Sequence, residues 1–251
     1  MNRQNVVSAT STSPPIVGRA LLVSNDSTAV GQLTNSMQQF AISADVCADL
    51  ATAAGLVNTR KFEAIVVDLA LGQEVVRVLE RVRFSPSNQN SVTFTLVDSE
   101  TRPDDRVHSN FVMEKPLSDT VLGSTLKAAL GLIIRDYRRY FRCPIAVPAV
   151  VHFGGLRMSC TMINISEGGL ALHSQAAFKP GTPVRAEFTL PGEPSGFDVD
   201  AEICWSDDKG RAGLQFRAVS SGQQFVLQSW LSRRIEDSLP EAIARLFQRN
   251  Q

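Results

Sequence analysis

Between residues 18 and 134, short continuous apolar runs alternate with stretches whose apolar positions recur every three or four residues. ALLVS (Ala20–Ser24) and AIVVDLA (Ala64–Ala70) are unbroken runs bounded by polar residues, the pattern of parallel strands buried on both faces. A weaker strand falls at Ile42–Val46, a fourth at SVTFTLV (Ser91–Val97) and a fifth at NFVME (Asn110–Glu114). Between them, Val30, Leu33, Met37 and Phe40 keep helical spacing behind Ser27, which reads as the N-cap. A second helix is expected over Ala48–Thr59. A third carries Val75, Val78, Leu79 and Val82, and a last one runs from Val121 through Leu126 and Leu130 to Ile134. Strand–helix alternation of this kind predicts an α/β fold, a doubly wound parallel sheet.

The pattern changes after Arg142. IAVPAVVHF, LRMSCTMINI, GLALHS, PVRAEFTL, DVDAEICW and RAGLQF are short strand-like runs. They are separated by Gly154-Gly155, Glu167-Gly168-Gly169, Pro180-Gly181, Pro191-Gly192 and Asp207-Asp208-Lys209-Gly210. Six such runs joined by tight turns predict a small antiparallel β-barrel. The segment Gln223–Glu236 is helical, with Phe225, Leu227, Trp230, Leu231 and Ile235 apolar, and Pro240 is placed to start a further short helix. The expected organisation is a disordered head (1–17), an α/β domain (18–134), a barrel domain with its leading arginine segment (135–237) and a helical tail (238–251).

Composition narrows the function classes. The 251 residues suffice for two small domains, and the apolar fraction of 43% is that of an ordinary soluble protein. Lys plus Arg equals Asp plus Glu, 25 each, so no global field favours DNA or an anionic membrane, and no basic recognition helix stands out. An anion site must therefore come from a local basic cluster. Cys47, Cys143, Cys160 and Cys204 form no C-x-x-C pair and read as buried free thiols of a reducing cytoplasm. His108, His152 and His173 lack ligand spacing, so no metal site and no cofactor are expected. The polar first 16 residues contain no signal-peptide core, and no apolar stretch has the length of a spanning helix. No catalytic triad, P-loop or dinucleotide fingerprint is present, which argues against an enzyme.

Two local features carry chemistry. RDYRRYFRCP (Arg135–Pro144) places four arginines in eight residues, a pattern that by itself fits a solvated helix end. The second barrel run ends INISEGGL, so Asn164, Ser166 and Gly169 form N-x-S-x-x-G. Such a turn offers an amide and a hydroxyl. Its glycines, Gly168 and Gly169, permit positive φ and close approach of a ligand.

Arg138-x-x-x-Arg142 before the first barrel strand, with N-x-S-x-x-G after the second, resembles the PilZ family, whose members bind cyclic di-GMP. GLALHS, FKPGTPV and the Trp205 strand followed by AGLQF agree with it. The resemblance covers about Arg138–Glu236. It implies that Arg138 and Arg142 meet phosphates and guanine, that Asn164, Ser166 and Gly169 meet a guanine base, and that Arg139 stands beside them. Guanidinium forks suit both acceptors.

The α/β domain resembles response-regulator receiver domains over about Gly18–Ile134. Asp68 ends the third strand, where that family carries its phosphoacceptor, and Lys115-Pro116 ends the fifth. The family's acidic pair after the first strand is replaced by Ser24 and Asn25, with Asp26 one step further and expected to point elsewhere. No Ser or Thr is clear at the end of the fourth strand, and Ser99–Ser109 lacks the apolar face of a fourth helix. These departures imply a pseudo-receiver with weak Mg²⁺ binding, in which Asp68 is a residual partner of Lys115.

The sequence thus predicts a cytoplasmic, non-catalytic cyclic di-GMP effector, with a protein partner or self-association through its receiver-like domain. A mobile Asp136–Pro144 segment is expected to become ordered by ligand. The alternatives are a nucleotide-independent interaction adaptor and a phosphorylation-controlled regulator with a PilZ output.

Overall fold

A computed structural model describes residues 17–98, 108–175, 177–239 and 241. The chain divides into two compact units, the second of them Arg135–Asp237. The expected head, most of the polar Ser99–Ser109 segment and the helix expected after Pro240 lie outside the described residues.

The first unit is built from β1 (Gly18–Val23), α1 (Ser27–Gln39), β2 (Ile42–Cys47), α2 (Leu50–Thr59), β3 (Ala64–Asp68), α3 (Val75–Phe84), β4 (Val92–Val97), β5 (Phe111–Glu114) and α4 (Asp119–Tyr140), whose last turn belongs to the second unit. The strands are parallel in the order β2-β1-β3-β4-β5. That order belongs to one of the two common doubly wound topologies. Strand alternation divides the apolar residues between two layers. Ala20, Leu22, Ala64, Val66 and Phe94 pack with Leu33 and Met37 of α1 and Leu122, Leu126 and Ile133 of α4. Leu21, Val23, Ile65 and Val67 face Ala53 and Val57 of α2 and Val75, Val78 and Val82 of α3. Unbroken apolar runs in β1 and β3 are thus what a sheet covered on both sides requires.

Two helix starts differ from expectation for one reason. Asp26, not Ser27, caps α1: its carboxylate accepts from the amides of Thr28 and Ala29 at 3.0 Å each. Asp49 likewise accepts from Thr52 at 2.8 Å, so α2 begins at Leu50 instead of Ala48. A carboxylate outcompetes a hydroxyl or an alanine for the positive end of a helix.

The second unit contains β6 (Cys143–Pro144), β7 (Pro148–Phe153), β8 (Leu156–Ser166), β9 (Gly169–His173), β10 (Pro183–Thr189), β11 (Gly196–Ser206), β12 (Arg211–Ala218) and α5 (Ser221–Ser238). Antiparallel pairing runs β8-β7-β10-β11-β12-β9, and a β8–β9 ladder closes these six strands into a barrel. Inward residues alternate along each strand: Phe197, Val199, Ala201 and Ile203 of β11 meet Phe188 of β10 and Leu214 of β12. Phe188 and Phe197 stack with ring centres 5.0 Å apart. From α5, Leu227, Trp230 and Leu231 join the same core. The indole N–H of Trp230 donates to the Pro191 carbonyl at 3.0 Å.

Alternation also corrects the expectation for the cysteines. Cys47, Cys143 and Cys160 are buried, but Cys204 is exposed, because Ile203 takes the inward place on β11 and its neighbour must face out.

Candidate functional site

The arginine segment spans two kinds of structure. Arg135, Arg138 and Arg139 lie in the last turns of α4, which runs on to Tyr140; Arg142 stands beyond it. Cys143 and Pro144 then pair with Ile165 and Asn164 of β8. The segment Asp136–Pro144 comprises a helix end and a short ladder, with Asp136 buried and Tyr137 against Phe141 at 5.6 Å between rings.

That short ladder is what joins the two motifs. Arg142 immediately precedes this ladder, on the side where Ser166 follows Ile165. Cys143 and Ile165 are buried in the core, so the alternating Asn164 and Ser166 of β8 fall on its outer face. Asn164 follows an irregularity in β8, where the pairing steps from Met162–Leu172 to Asn164–Ala171. A bulge there re-aims its side chain. Its amide, half-buried, has no hydrogen-bond partner among the described residues. Arg139 is exposed without an ion pair among those residues, and Arg142 reaches only the Tyr140 carbonyl at 3.5 Å.

The turn is a two-residue connection, since Ser166 pairs with Gly169. The Ser166 hydroxyl donates to the Gly169 carbonyl at 3.1 Å, and the Phe216 amide of β12 donates to the Gly168 carbonyl at 2.9 Å. Contrary to expectation, neither Gly168 nor Gly169 takes a left-handed conformation. Gly169 is required by close approach instead: a Cβ there would sit 2.1 Å from the Leu214 carbonyl oxygen, because β9 and β12 press together at that point.

Electrostatics adds two residues that the sequence reading missed. Burial lowers the Arg138 guanidinium, while the carboxylates of Glu236 on α5 and Glu167 in the turn act in the opposite direction. Glu167 occupies a variable position of the turn motif, and Glu236 lies outside both motifs. Only the return of α5 onto the barrel, visible in sequence merely as an apolar helix, hints at Glu236.

In the first unit, Asp68 is fully buried at the end of β3. Its carboxylate accepts from Lys115 Nζ at 3.1 and 3.2 Å, from the Ser24 hydroxyl at 2.7 Å and from the Ala70 amide at 3.0 Å. Lys115 also meets Asp98 at 3.1 Å and Asp26 at 3.7 Å. Asp26 therefore does turn toward this pocket, although its other oxygen caps α1. Asp98 was missed because a lone acid after a strand reads as loop. Burial pushes the Lys115 ammonium down, but its bonds to Asp68 and Asp98 outweigh that and leave it raised.

A receiver fold implies Mg²⁺ here, and the residues do not fit it. The one buried carboxylate is already saturated by an ammonium, a hydroxyl and an amide. Ser24 and Asn25 stand where hard anionic oxygens are needed, and no group of three metal-ligating side chains forms among the described residues.

The fold defines a two-unit chain: a receiver-like α/β sheet followed by a closed six-stranded antiparallel barrel and a C-terminal helix. Residues 136–233 match the PilZ domain family and form a PilZ domain. No curated protein matches the chain. Among solved structures, the chain is similar to the Bacillus subtilis inhibitor of motility (MotI/DgrA), with 23% identity over 39% of this chain and a TM-score of 0.34; the match spans 50% of that protein. It is similar to the PilZ domain of CeSA from a cellulose-synthesizing bacterium, at 22% identity over 38% of this chain and 97% of that one, TM-score 0.31. It is also similar to the receiver domain of sensor histidine kinase PA1611 from Pseudomonas aeruginosa PAO1, at 15% identity over 47% of this chain and 99% of that one, TM-score 0.41.

Proposed function

We propose that the chain is a non-catalytic cyclic di-GMP effector of the cytoplasm. The ligand lies on the outer face of the barrel between Arg138, Arg139 and Arg142 on one side and Asn164, Ser166 and Gly169 on the other. The observation that supports this reading is the β6–β8 ladder, which pairs Cys143 and Pro144, just after the arginines, with Ile165 and Asn164 at the start of the N-x-S-x-x-G turn. Arg142 and Arg139 supply guanidinium forks for phosphate and for the acceptor edge of guanine. The unpartnered Asn164 amide is a neutral donor–acceptor for the base's Watson–Crick edge. The missing Cβ of Gly169 keeps the turn tight on β12. PilZ membership of residues 136–233 supports the same ligand.

The receiver-like unit serves in this reading as a docking module for a protein partner or a second copy, and neither phosphorylation at Asp68 nor DNA binding is part of it. No described helix is long and apolar enough to cross a membrane. Hydrogen exchange of the full chain with and without cyclic di-GMP tests the site. Protection confined to residues 138–144 and 164–169 is expected. Protection elsewhere, with both segments unchanged, contradicts the placement.

A further inference from the structure

We propose that Gln215, on β12, is a guanine-specificity residue of the barrel site: its side-chain NH2 group donates to the O6 oxygen of a base held by the N-x-S-x-x-G turn. This rests on the cyclic di-GMP reading above and names a recognition residue outside both sequence motifs.

The ladders place Gln215 beside the turn. Ser166 of β8 pairs with Gly169 of β9, and Gly169 pairs with Gln215 of β12. Adjacent strands lie about 4.8 Å apart, so Ser166 and Gln215 flank Gly169 with about 10 Å between their backbones. The two strands touch closely here. The Phe216 amide donates to the Gly168 carbonyl at 2.9 Å, and a Cβ on Gly169 would lie 3.2 Å from the Gln215 Cα.

Alternation decides which way these residues face. Ile165, Leu170 and Leu214 each enter the barrel core, so their neighbours Ser166, Gly169 and Gln215 take the outer face. Gln215 is exposed. Gly169 carries no side chain, so none stands between Ser166 and Gln215.

The neighbouring strand β11 sets which end of the amide is offered. The Cys204 thiol donates to Gln215 Oε1 at 3.7 Å. A thiol proton needs an acceptor, and only the carbonyl end of an amide accepts. That contact engages the oxygen, and the NH2 group has no hydrogen-bond partner among the described residues. Glu202, which pairs with Gln215 in the same row, is already engaged by Arg217 at 2.7 Å.

Guanine and adenine differ where this donor acts. Guanine presents O6 and N7 acceptors, whereas adenine presents an N6 amino donor in place of O6. An NH2 group facing that edge favours the first and opposes the second. Contacts to phosphate carry no such preference.

Calorimetric titration of the full chain with cyclic di-GMP and with cyclic di-AMP tests this in wild type, Gln215→Leu and Gln215→Glu. Gln215→Leu is expected to weaken cyclic di-GMP binding about three- to tenfold. Cyclic di-AMP should bind it no more weakly than wild type, so the preference for guanine narrows. Gln215→Glu sets an anion against O6 and is expected to weaken cyclic di-GMP by more than about tenfold. Thermal unfolding of both variants should match wild type, since the side chain is exposed. Unchanged cyclic di-GMP affinity in Gln215→Leu, or an equal loss for both nucleotides, refutes the assignment while binding by wild type keeps the receptor reading. Failure of wild type to bind overturns the receptor reading and the assignment together.

Discussion

Asp68 and Gly169 illustrate opposite demands on a single residue. Asp68 is a buried anion whose acceptance of Lys115, Ser24 and Ala70 makes its burial tolerable. Lys115→Met removes the cation and leaves that charge buried. A loss of about 3 kcal/mol is expected in urea unfolding, with a far smaller loss for Asp68→Asn, which lifts the charge as well. The pH dependence has a defined sign. The folded Lys115 ammonium is raised above its ordinary value. Its contribution is therefore complete below about pH 10.4, the ordinary lysine value, and is lost as pH rises through the folded one. Lys115→Met should flatten the alkaline limb of the stability profile and leave the neutral region parallel to wild type. At Gly169, a methyl would meet the Leu214 carbonyl, so Gly169→Ala should cost about 2 kcal/mol or more. Gly168→Ala, with nothing within 4 Å of its Cβ, should stay within about 0.5 kcal/mol. Equal effects at the two positions would refute the close-approach account.

At the scale of elements, the sequence patterns and the structure agree wherever hydrophobic periodicity decides. Continuous runs became β1 and β3, sheathed on both sides, and the alternating runs became six barrel strands. What periodicity does not carry was less legible. The caps moved by one or two residues because Asp26 and Asp49 compete better for helix amides than their neighbours. The arginine segment reads in sequence as a junction, yet its register against β8 is a long-range pairing that no local pattern encodes. The contact of Asp98 with Lys115 likewise depends on chain segments returning from far away. The β6–β8 ladder makes a specific prediction: Arg142→Lys keeps the charge and loses the fork, so it should weaken cyclic di-GMP binding about tenfold or more while leaving thermal unfolding unchanged. An affinity equal to wild type would mean that Arg142 acts only as a point charge.

For the whole molecule, charge balance matters because 25 basic and 25 acidic residues create no global attraction for anions. An anion site on this chain must therefore come from a local arrangement of charge, as proposed for the barrel. The receiver-like sheet keeps the topology of its class but places Lys115 among Asp26, Asp68 and Asp98 where that class uses a metal. Acetyl phosphate with Mg²⁺ is accordingly expected to leave the mass of the protein unchanged, and a stable adduct at Asp68 would restore the phosphorylation-controlled alternative. The central claim, that the barrel is a cyclic di-GMP receptor using its arginine segment, is tested most directly by calorimetric titration of the full chain and of Arg138→Ala/Arg142→Ala. Saturable binding by wild type that disappears in a normally folded double variant is the predicted result. Absence of binding by wild type, or equal binding by both proteins, would contradict it.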